Sequence, residues 1–387
     1  MAKINWQFIG PKEDGTPGTF DFTSKVFSMN AMVGRQSYLD NYGSSGITIT
    51  INNNTGYATR LPYGQSVLIY GAVAGVNYIT LTGYVSKVEY SDYNAGTGIS
   101  TATITMTDVL SYTGRVYANA WTVTQDYATN QAKALEASYV PAGPLPSFIS
   151  VTLYGVFTGS ILQGQTYTGT VLNYLNASIT TERGQLAAIG STINYVPRSY
   201  INNYITAGYS TDLKPTTGAS QLMYTAIQRQ AAGTEFINTY TTQPNGLTPQ
   251  TSTNITSVST YGPSTGSAFT YDYNTTQALG NADWIVNSFG DPNTQRIDVQ
   301  FDDVSQNASG LTYFLNKWNV AVRSFNLTYT PPGGSVTTTA MVMEGASINA
   351  TPDSTQWSVY LSPLSYYQFF TLDSATLGIL DTSRLGW

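Results

Sequence analysis

The stretch GSSGITITINNNTG, residues 43–56, decides how the chain is read. Ile47, Ile49 and Ile51 alternate with Thr48 and Thr50, which is the pattern of a strand with one dry face and one wet face. The run stops in Asn52 to Gly56. Asn and Gly tolerate positive φ cheaply, so NNNTG is expected to be a turn. Pieces of the same kind surround it. FDFTSKVFSMNAMVG comes before, and QSVLIYGAV, YITLTGYVSKVEYSDY and ISTATITMTDVLSYTG come after. Turn residues separate them at Leu61 to Gly64 and at Asn94 to Gly98. Short strands punctuated by Gly and Asn predict an antiparallel barrel or sandwich over residues 1–118.

The composition agrees with a β-dominated protein. Of 387 residues, 10% are charged, against roughly 25% in average soluble domains. Solubility therefore rests on Thr, Ser, Asn, Gln and the 30 tyrosines. Thr and Tyr fit a pleated, half-buried surface. The net charge is −6 with scattered basic residues, which argues against nucleic-acid binding by counterion release. No run approaches the length of a membrane-spanning helix. The opening MAKINWQFIG lacks the apolar core of a secretory signal. Sequons at Asn53, Asn176, Asn254, Asn274, Asn307, Asn326 and Asn349 read as chance products of an Asn- and Thr-rich chain.

The pattern changes after Arg115. TQDYATNQAKALEASYV predicts a helix, ended by Pro141, Pro144 and Pro146. SFISVTLYGVFTGSIL returns to strand character. TERGQLAAIG reads as a short helix capped by Thr181 and stopped at Gly190. ASQLMYTAIQRQAA, residues 219–232, reads as a second helix, with Gly233 as its stop signal. Residues 239–268, polar and rich in Thr, Ser, Pro and Gly, read as loop. TTQALGNADWIVNSFG predicts a third helix. RIDVQFDDV, LNKWNVAVRSFNLTYTP, TTTAMVMEGASINATP and QWSVYLSP read as strands of a second β region. No repeat of fixed period is visible.

With neither His nor Cys in the chain, Ser-His-Asp, Cys-His and the usual zinc arrangements are excluded. Asp298, Asp302 and Asp303 raise the possibility of a glycosidase pair or a calcium site. Strand-end aspartates are common turn formers, and that reading is favoured for them and for Asp14, Asp92 and Asp291. Two aromatic clusters, Tyr90/Tyr93/Tyr112/Tyr117 and Tyr366/Tyr367/Phe369/Phe370, suit either sugar stacking or packing in a core or subunit contact. Interfaces favour Tyr over Lys and Glu, so packing is preferred. No catalytic, cofactor or metal residue is assigned, and no enzymatic activity is expected.

One resemblance adds to this reading. GRQSYLDNYGSSGITITINNNTG is similar to the N-terminal region of minor tail proteins of long-tailed siphophages. Gly34-Arg35, Leu39-Asp40, the turn Gly43 to Gly46, the strand Ile47 to Ile51 and Asn54-Thr55-Gly56 carry the likeness; Thr55 departs from the family's pattern. PYGQSVLIYG resembles its Pro-Gly-x-x-Val-x-Ile strand, with Tyr63 inserted. TLTGYVSKVEY and TATITMTDVLSYTGR follow in the family's order, with Asp108, Leu110 and Arg115 holding its positions. ADWIVNSFGDPNTQRIDVQF, MVMEGASINATPDSTQWSVYLSP and FTLDSATLGILDTSRLGW resemble its last third. The resemblance covers about residues 26–118 and 282–387.

The resemblance implies a tail-tip (baseplate) hub of a virion. Each chain would be mainly β, with two antiparallel tail-tube-like β-barrels and a mixed α+β insertion. The expected division is 1–118 for the first barrel, 119–281 for the insertion, and 282–387 for the second barrel region and C-terminal tail. Three copies would present six barrels to a tail-tube or distal tail ring. Implied partners are the chain itself as homotrimer, a distal tail protein, the tape measure protein and other tip or fibre proteins. Genomic DNA would pass through the lumen unbound. The alternative is a tail-tip adhesin that contacts host surface glycans.

Overall fold

The Ile/Thr alternation of residues 46–52 forms a strand, with all three isoleucines buried. The turn after it works differently from expectation. Only Gly56 takes positive φ, at +71°. The asparagines act through their side chains: Asn52, Asn53 and Asn54 accept the amides of Asn54, Ala58 and Ser100. In this computed structural model the described residues are 3–14, 16, 18–94, 96, 98–139, 149–154, 160–206, 211–216, 218, 221–231, 235–292, 295–318, 320 and 322–368.

The first half contains β1 (Asn5–Pro11), β2 (Thr19–Asp21), β3 (Val26–Gly34), β4 (Gly46–Asn52), β5 (Ser66–Val73), β6 (Val76–Asn94) and β7 (Ile99–Thr107), then α1 (Leu110–Thr113). The middle holds β8 (Tyr117–Val123), β9 (Asp126–Tyr127), α2 (Ala128–Tyr139), β10 (Ser150–Leu153), β11 (Ile161–Leu162), β12 (Gln165–Thr170), α3 (Val171–Glu182), β13 (Gln185–Ile189), β14 (Thr192–Val196) and α4 (Arg198–Thr206). It continues with β15 (Thr211–Lys214), β16 (Gln221–Met223), β17 (Ala226–Ala231), β18 (Thr239–Pro244), β19 (Gln250–Thr253), α5 (Ile255–Tyr261), β20 (Thr265–Thr270) and α6 (Thr275–Phe289). The last part is β21 (Gln295–Asp302), α7 (Ala308–Trp318), β22 (Ser324–Tyr329), β23 (Thr337–Ala350) and β24 (Thr355–Pro363).

Fourteen of these strands belong to one hydrogen-bonded sheet. From β2 the order runs β1, β5, β6, β7, β4, β3, and then crosses to β23 from the far end of the chain. β23 is long enough to serve three neighbours. Its second half lies between β3 and β24, and its first half pairs with β22. Beyond β22 come β15 and β16; beyond β24 come β21 and β17. Only Tyr224 and Thr225 separate β16 from β17. Their amides bond Lys214 O and Gln300 O, so one stretch of backbone bends from the β15 edge to the β21 edge. The mixed middle of the chain thus supplies three strands to the main sheet.

Both ends also share a core. Trp6 of β1 stacks on Trp357 of β24, with ring centroids 6.1 Å apart, and its Nε1 donates to Thr355 Oγ1 at 2.7 Å. Phe301 lies parallel to Trp357 at 5.9 Å. Phe314 and Trp318 of α7 meet Trp357 edge-on, each at 5.1 Å. A second core gathers α2, α3 and the β13–β14 hairpin, and a third lies under α6.

Four expectations are corrected by the structure. Of the helix expected over 219–232, the described residues 221–231 are not helical. β16 pairs with β15 and β17 with β21, and their short apolar run fits both periods until a partner is known. Residues 239–268 are not loop: β18 pairs with both β19 and β20, and Tyr240 and Thr242 are buried against α6. TERGQLAAIG is the end of α3 plus β13; Thr170, not Thr181, caps α3. The strand expected in LNKWNVAVRSFNLTYTP begins only at Ser324. Its first residues belong to α7, where Leu311, Phe314, Leu315 and Trp318 follow helical spacing and are buried. The helices expected in residues 124–140 and 275–290 are present as α2 and α6.

Candidate functional site: the junction of the chain ends and the cleft beside it

The crossing from β3 to β23 is built on two glycine–charge dipeptides, Gly34-Arg35 and Glu344-Gly345. Gly34 takes φ +77°. A Cβ on Gly34 would stand 2.9 Å from Gly345 Cα, and one on Gly345 would stand 2.5 Å from Arg35 O. Glycine lets the backbones meet, and the charged neighbours then face each other indoors. Arg35 Nε donates to Glu344 Oε2 at 2.8 Å, with side chains 7% and 0% exposed. Tyr367 Oη donates to Glu344 Oε1 at 2.6 Å, and Gln185 Nε2 donates to Tyr367 Oη at 3.0 Å. The guanidinium also lies over Tyr42 and Tyr38, 4.4 and 4.8 Å from their ring centroids. Burial alone would pull the Arg35 pKa down. Glu344 and the tyrosines outweigh it and hold it above the ordinary arginine range.

From this junction residues 35–41 run along the wall of a cleft of about 640 Å³. Tyr38 and Asp40 line one side, Ala177 and Thr180 of α3 another, and Tyr240 and Phe269 of the β18–β20 sheet a third. Asn176 ties the first wall to the second by exchanging two hydrogen bonds with the Tyr42 backbone, at 2.9 and 2.8 Å. At the cleft floor Arg183 ends α3 in the left-handed conformation, φ +56°. Its guanidinium bonds Asn281 Oδ1 and lies over Trp284 at 4.8 Å. Burial, then the charge of Arg198, pull its pKa down to about 9, so it is cationic at neutral pH.

Of the six carboxylates singled out in the sequence, Asp14, Asp298, Asp302 and Asp303 serve as structural ties. Asp303 is fully buried and accepts the amides of Ile4 and Thr355 at 2.8 Å each, pinning β1 to the β23–β24 turn. Asp302 accepts the Ser305 amide in a turn, and Asp298 pairs with Arg296 along β21. They do not converge on one site. Asp14 accepts the Thr16 amide and hydroxyl, and Asp291 lies in the bend after α6. Asp92 lies within β6. Among the described residues, no group of three or more His, Cys, Asp or Glu is placed to hold a metal.

The aromatic clusters part company. Tyr366 and Tyr367 are buried, so sugar stacking on them is excluded; Phe369 and Phe370 lie outside the described residues. Tyr90 and Tyr117 are 51% and 59% exposed, while Tyr112 packs edge-on against Tyr84 at 5.2 Å beneath Arg115. The Tyr93 side chain lies outside the described part of the structure. The sequons serve local structure: Asn254 and Asn274 cap α5 and α6, and Asn176 is buried. Sequence reasoning singles out Gly34-Arg35 and the Glu-Gly of MVMEGAS but assigns them no contact, and it misses Gln185 altogether. The available signal is a glycine beside a charge at each end of the chain.

Asp108, at the start of α1, shows how buried acids set the pH response. It accepts Ser45 N at 3.0 Å, Ser45 Oγ at 2.5 Å and Leu110 N at 3.0 Å. Burial nevertheless pushes its pKa up to about 6. Glu182 and Asp272 are raised by burial as well. A carboxyl that binds its proton more tightly when folded stabilises fully below its unfolded pKa of about 3.9, and loses that contribution as pH rises through the folded value. The denaturant midpoint is therefore expected to be higher at pH ~5 than at pH ~7, and Asp108→Asn to flatten the difference. A wild-type midpoint that rises from the lower pH to the higher would contradict this.

No family model matches the sequence, and no curated protein matches it. Solved structures do match. A tail protein from Neisseria meningitidis aligns at TM-score 0.58 and 11% identity, covering 93% of this chain and 96% of that one. A prophage tail protein from Shewanella oneidensis aligns at 0.57 and 10%, covering 94% and 98%. The chain has a tail-protein fold. A prophage tail protein from Listeria monocytogenes extends the likeness, at 0.52 and 7%, covering 92% and 94%. Because coverage exceeds nine-tenths on both sides, the tail-protein fold takes in the terminal strands and the mixed middle together.

Proposed function

We propose that the chain is a structural protein of a bacteriophage tail: a hub at the tail tip, assembled as a homotrimer, that joins the tail tube or distal tail ring to the distal tip. The observation that carries this reading is the tail-protein fold running through nearly the whole chain. The sheet order supports its finer form. β3, β4, β7, β6, β5, β1 and β2 make one wall, and β15 to β17 with β21 to β24 make another that bends back on itself at Tyr224–Thr225. We read these walls as two tube-like barrels per chain, which share β23 as a seam. Three copies then present six walls to a sixfold ring, since closed symmetry requires each contact to repeat. Distal tail protein, tape measure protein and tip or fibre proteins are the neighbours this position implies. A lumen with few basic residues lets DNA pass, because phosphate affinity grows with the number of phosphates neutralised.

Mass measurement across concentration is expected to find three chains per particle, and a symmetry-resolved image of the intact tail is expected to place them on the central axis. Monomer at every concentration, with the chain off the axis in the particle, would overturn the reading.

A further inference from the structure

The cleft beside the junction carries open polar side chains on all three of its walls. Asp40 and Asn41 stand on the segment that leaves Arg35, Asn173 and Thr180 on α3, and Ser267 and Phe269 on β20. Asn173 and Thr180 have the i, i+7 spacing of one helix face. Ser267 and Phe269, at i and i+2, share one face of their strand, and both are exposed. Among the described residues, the side chains of Asn41, Asn173, Thr180 and Ser267 have no hydrogen-bond partner. Phe269 is 48% exposed and is steadied edge-on by Tyr271, with ring centroids 5.3 Å apart. Its ring is thus available to a ligand.

Charge narrows what such a cleft can take. Arg183 lines it with a neutral partner, Asn281, and so keeps a full positive charge that opposes a cation. Asp40 accepts the Ser37 amide with one carboxylate oxygen, at 3.0 Å, and opposes an anion. A neutral ligand meets neither penalty. The two asparagine amides and the two hydroxyls each offer both a donor and an acceptor, which suits a ligand covered in hydroxyls. The volume of about 640 Å³ falls within the roughly 300–1,000 Å³ of small-molecule sites.

We propose that the cleft is a binding site for a neutral saccharide. The C–H face of one sugar ring lies on Phe269, and its hydroxyls are shared among Asp40, Asn41, Asn173, Thr180 and Ser267. The walls are set before the ligand arrives, because Asn176 fastens the segment bearing Asp40 and Asn41 to α3. This proposal does not depend on the tail-hub reading.

The full-length protein is titrated with neutral di- and trisaccharides of glucose, galactose and N-acetylglucosamine, and with sialyllactose as the acidic counterpart. At least one neutral sugar is expected to bind, and sialyllactose to bind more weakly. Phe269→Ala is expected to weaken the neutral sugar about tenfold, and Asn173→Ala several-fold, while Phe269→Trp keeps the affinity. Both positions are exposed, so the urea midpoint should not move and lost binding would not reflect unfolding. Failure of every neutral sugar to bind would overturn the proposal, as would binding of sialyllactose alone. Affinity left intact in Phe269→Ala would overturn it too, by placing the sugar elsewhere, such as at exposed Tyr90 or Tyr117.

Discussion

Replacing Arg35 by alanine is expected to cost about 3–5 kcal/mol of folding stability, because it strands Glu344 as an unpaired charge inside the protein. The carboxylate would keep Tyr367 and Gln185 as donors but lose its counter-charge, and water has no access to its side chain. The loss should appear as a lower urea midpoint. Exchanging both partners for methionine should recover most of it, since a buried ion pair and a well-packed apolar pair are often close in stability. If the single change cost no more than an exposed ion pair, under about 1 kcal/mol, the junction would not be a dry site.

The second large effect is expected at Trp357. Its ring is 1% exposed and meets Trp6, Phe301, Phe314 and Trp318. Trp357→Ala removes a side chain that touches β1, β21 and α7 together, and is expected to cost about 3–5 kcal/mol through lost burial and the cavity left behind. Trp357→Phe keeps an aromatic ring in place and should cost much less. Near-UV circular dichroism is the matching readout, because three of these five rings are tryptophans. An intact near-UV spectrum and an unchanged urea midpoint in Trp357→Ala would show that the two ends do not share a core.

Arg35 and Trp357 both draw their importance from distant partners, and that divides what the sequence discloses from what it hides. Strands with one wet face are legible wherever apolar and polar residues alternate, as in residues 46–52 and 99–107. Helices are legible where apolar residues recur at helical spacing, as in residues 128–139. Two of the misreadings trace to composition. This chain keeps itself soluble with Thr, Asn and Tyr in place of charge, so TYTTQP looks like loop although Tyr240 and Thr242 lie inside. Residues 221–231 carry too few apolar side chains to separate a period of 2 from one of 3.6, and only β15 and β21 decide it. Of the candidate site, Arg35 and Glu344 are visible only as pieces of a family-like pattern. Their meeting depends on a backbone approach that two glycines permit between residues 309 positions apart, and local sequence carries no trace of that. Gln185 has no signal at all.

The seam between β3 and β23 has a consequence for biogenesis. Gly34 pairs with Gly345, so when the ribosome has released β3 its neighbour is still 311 residues away, 345 minus 34. At about 5–20 residues per second, that partner emerges roughly 15–60 s later. Throughout that interval the nascent chain carries an open, apolar-backed strand border, the kind that invites misassembly with other chains. Synthesis of this protein is therefore expected to leave one border of β3 unpaired until the last stretch of the polypeptide arrives.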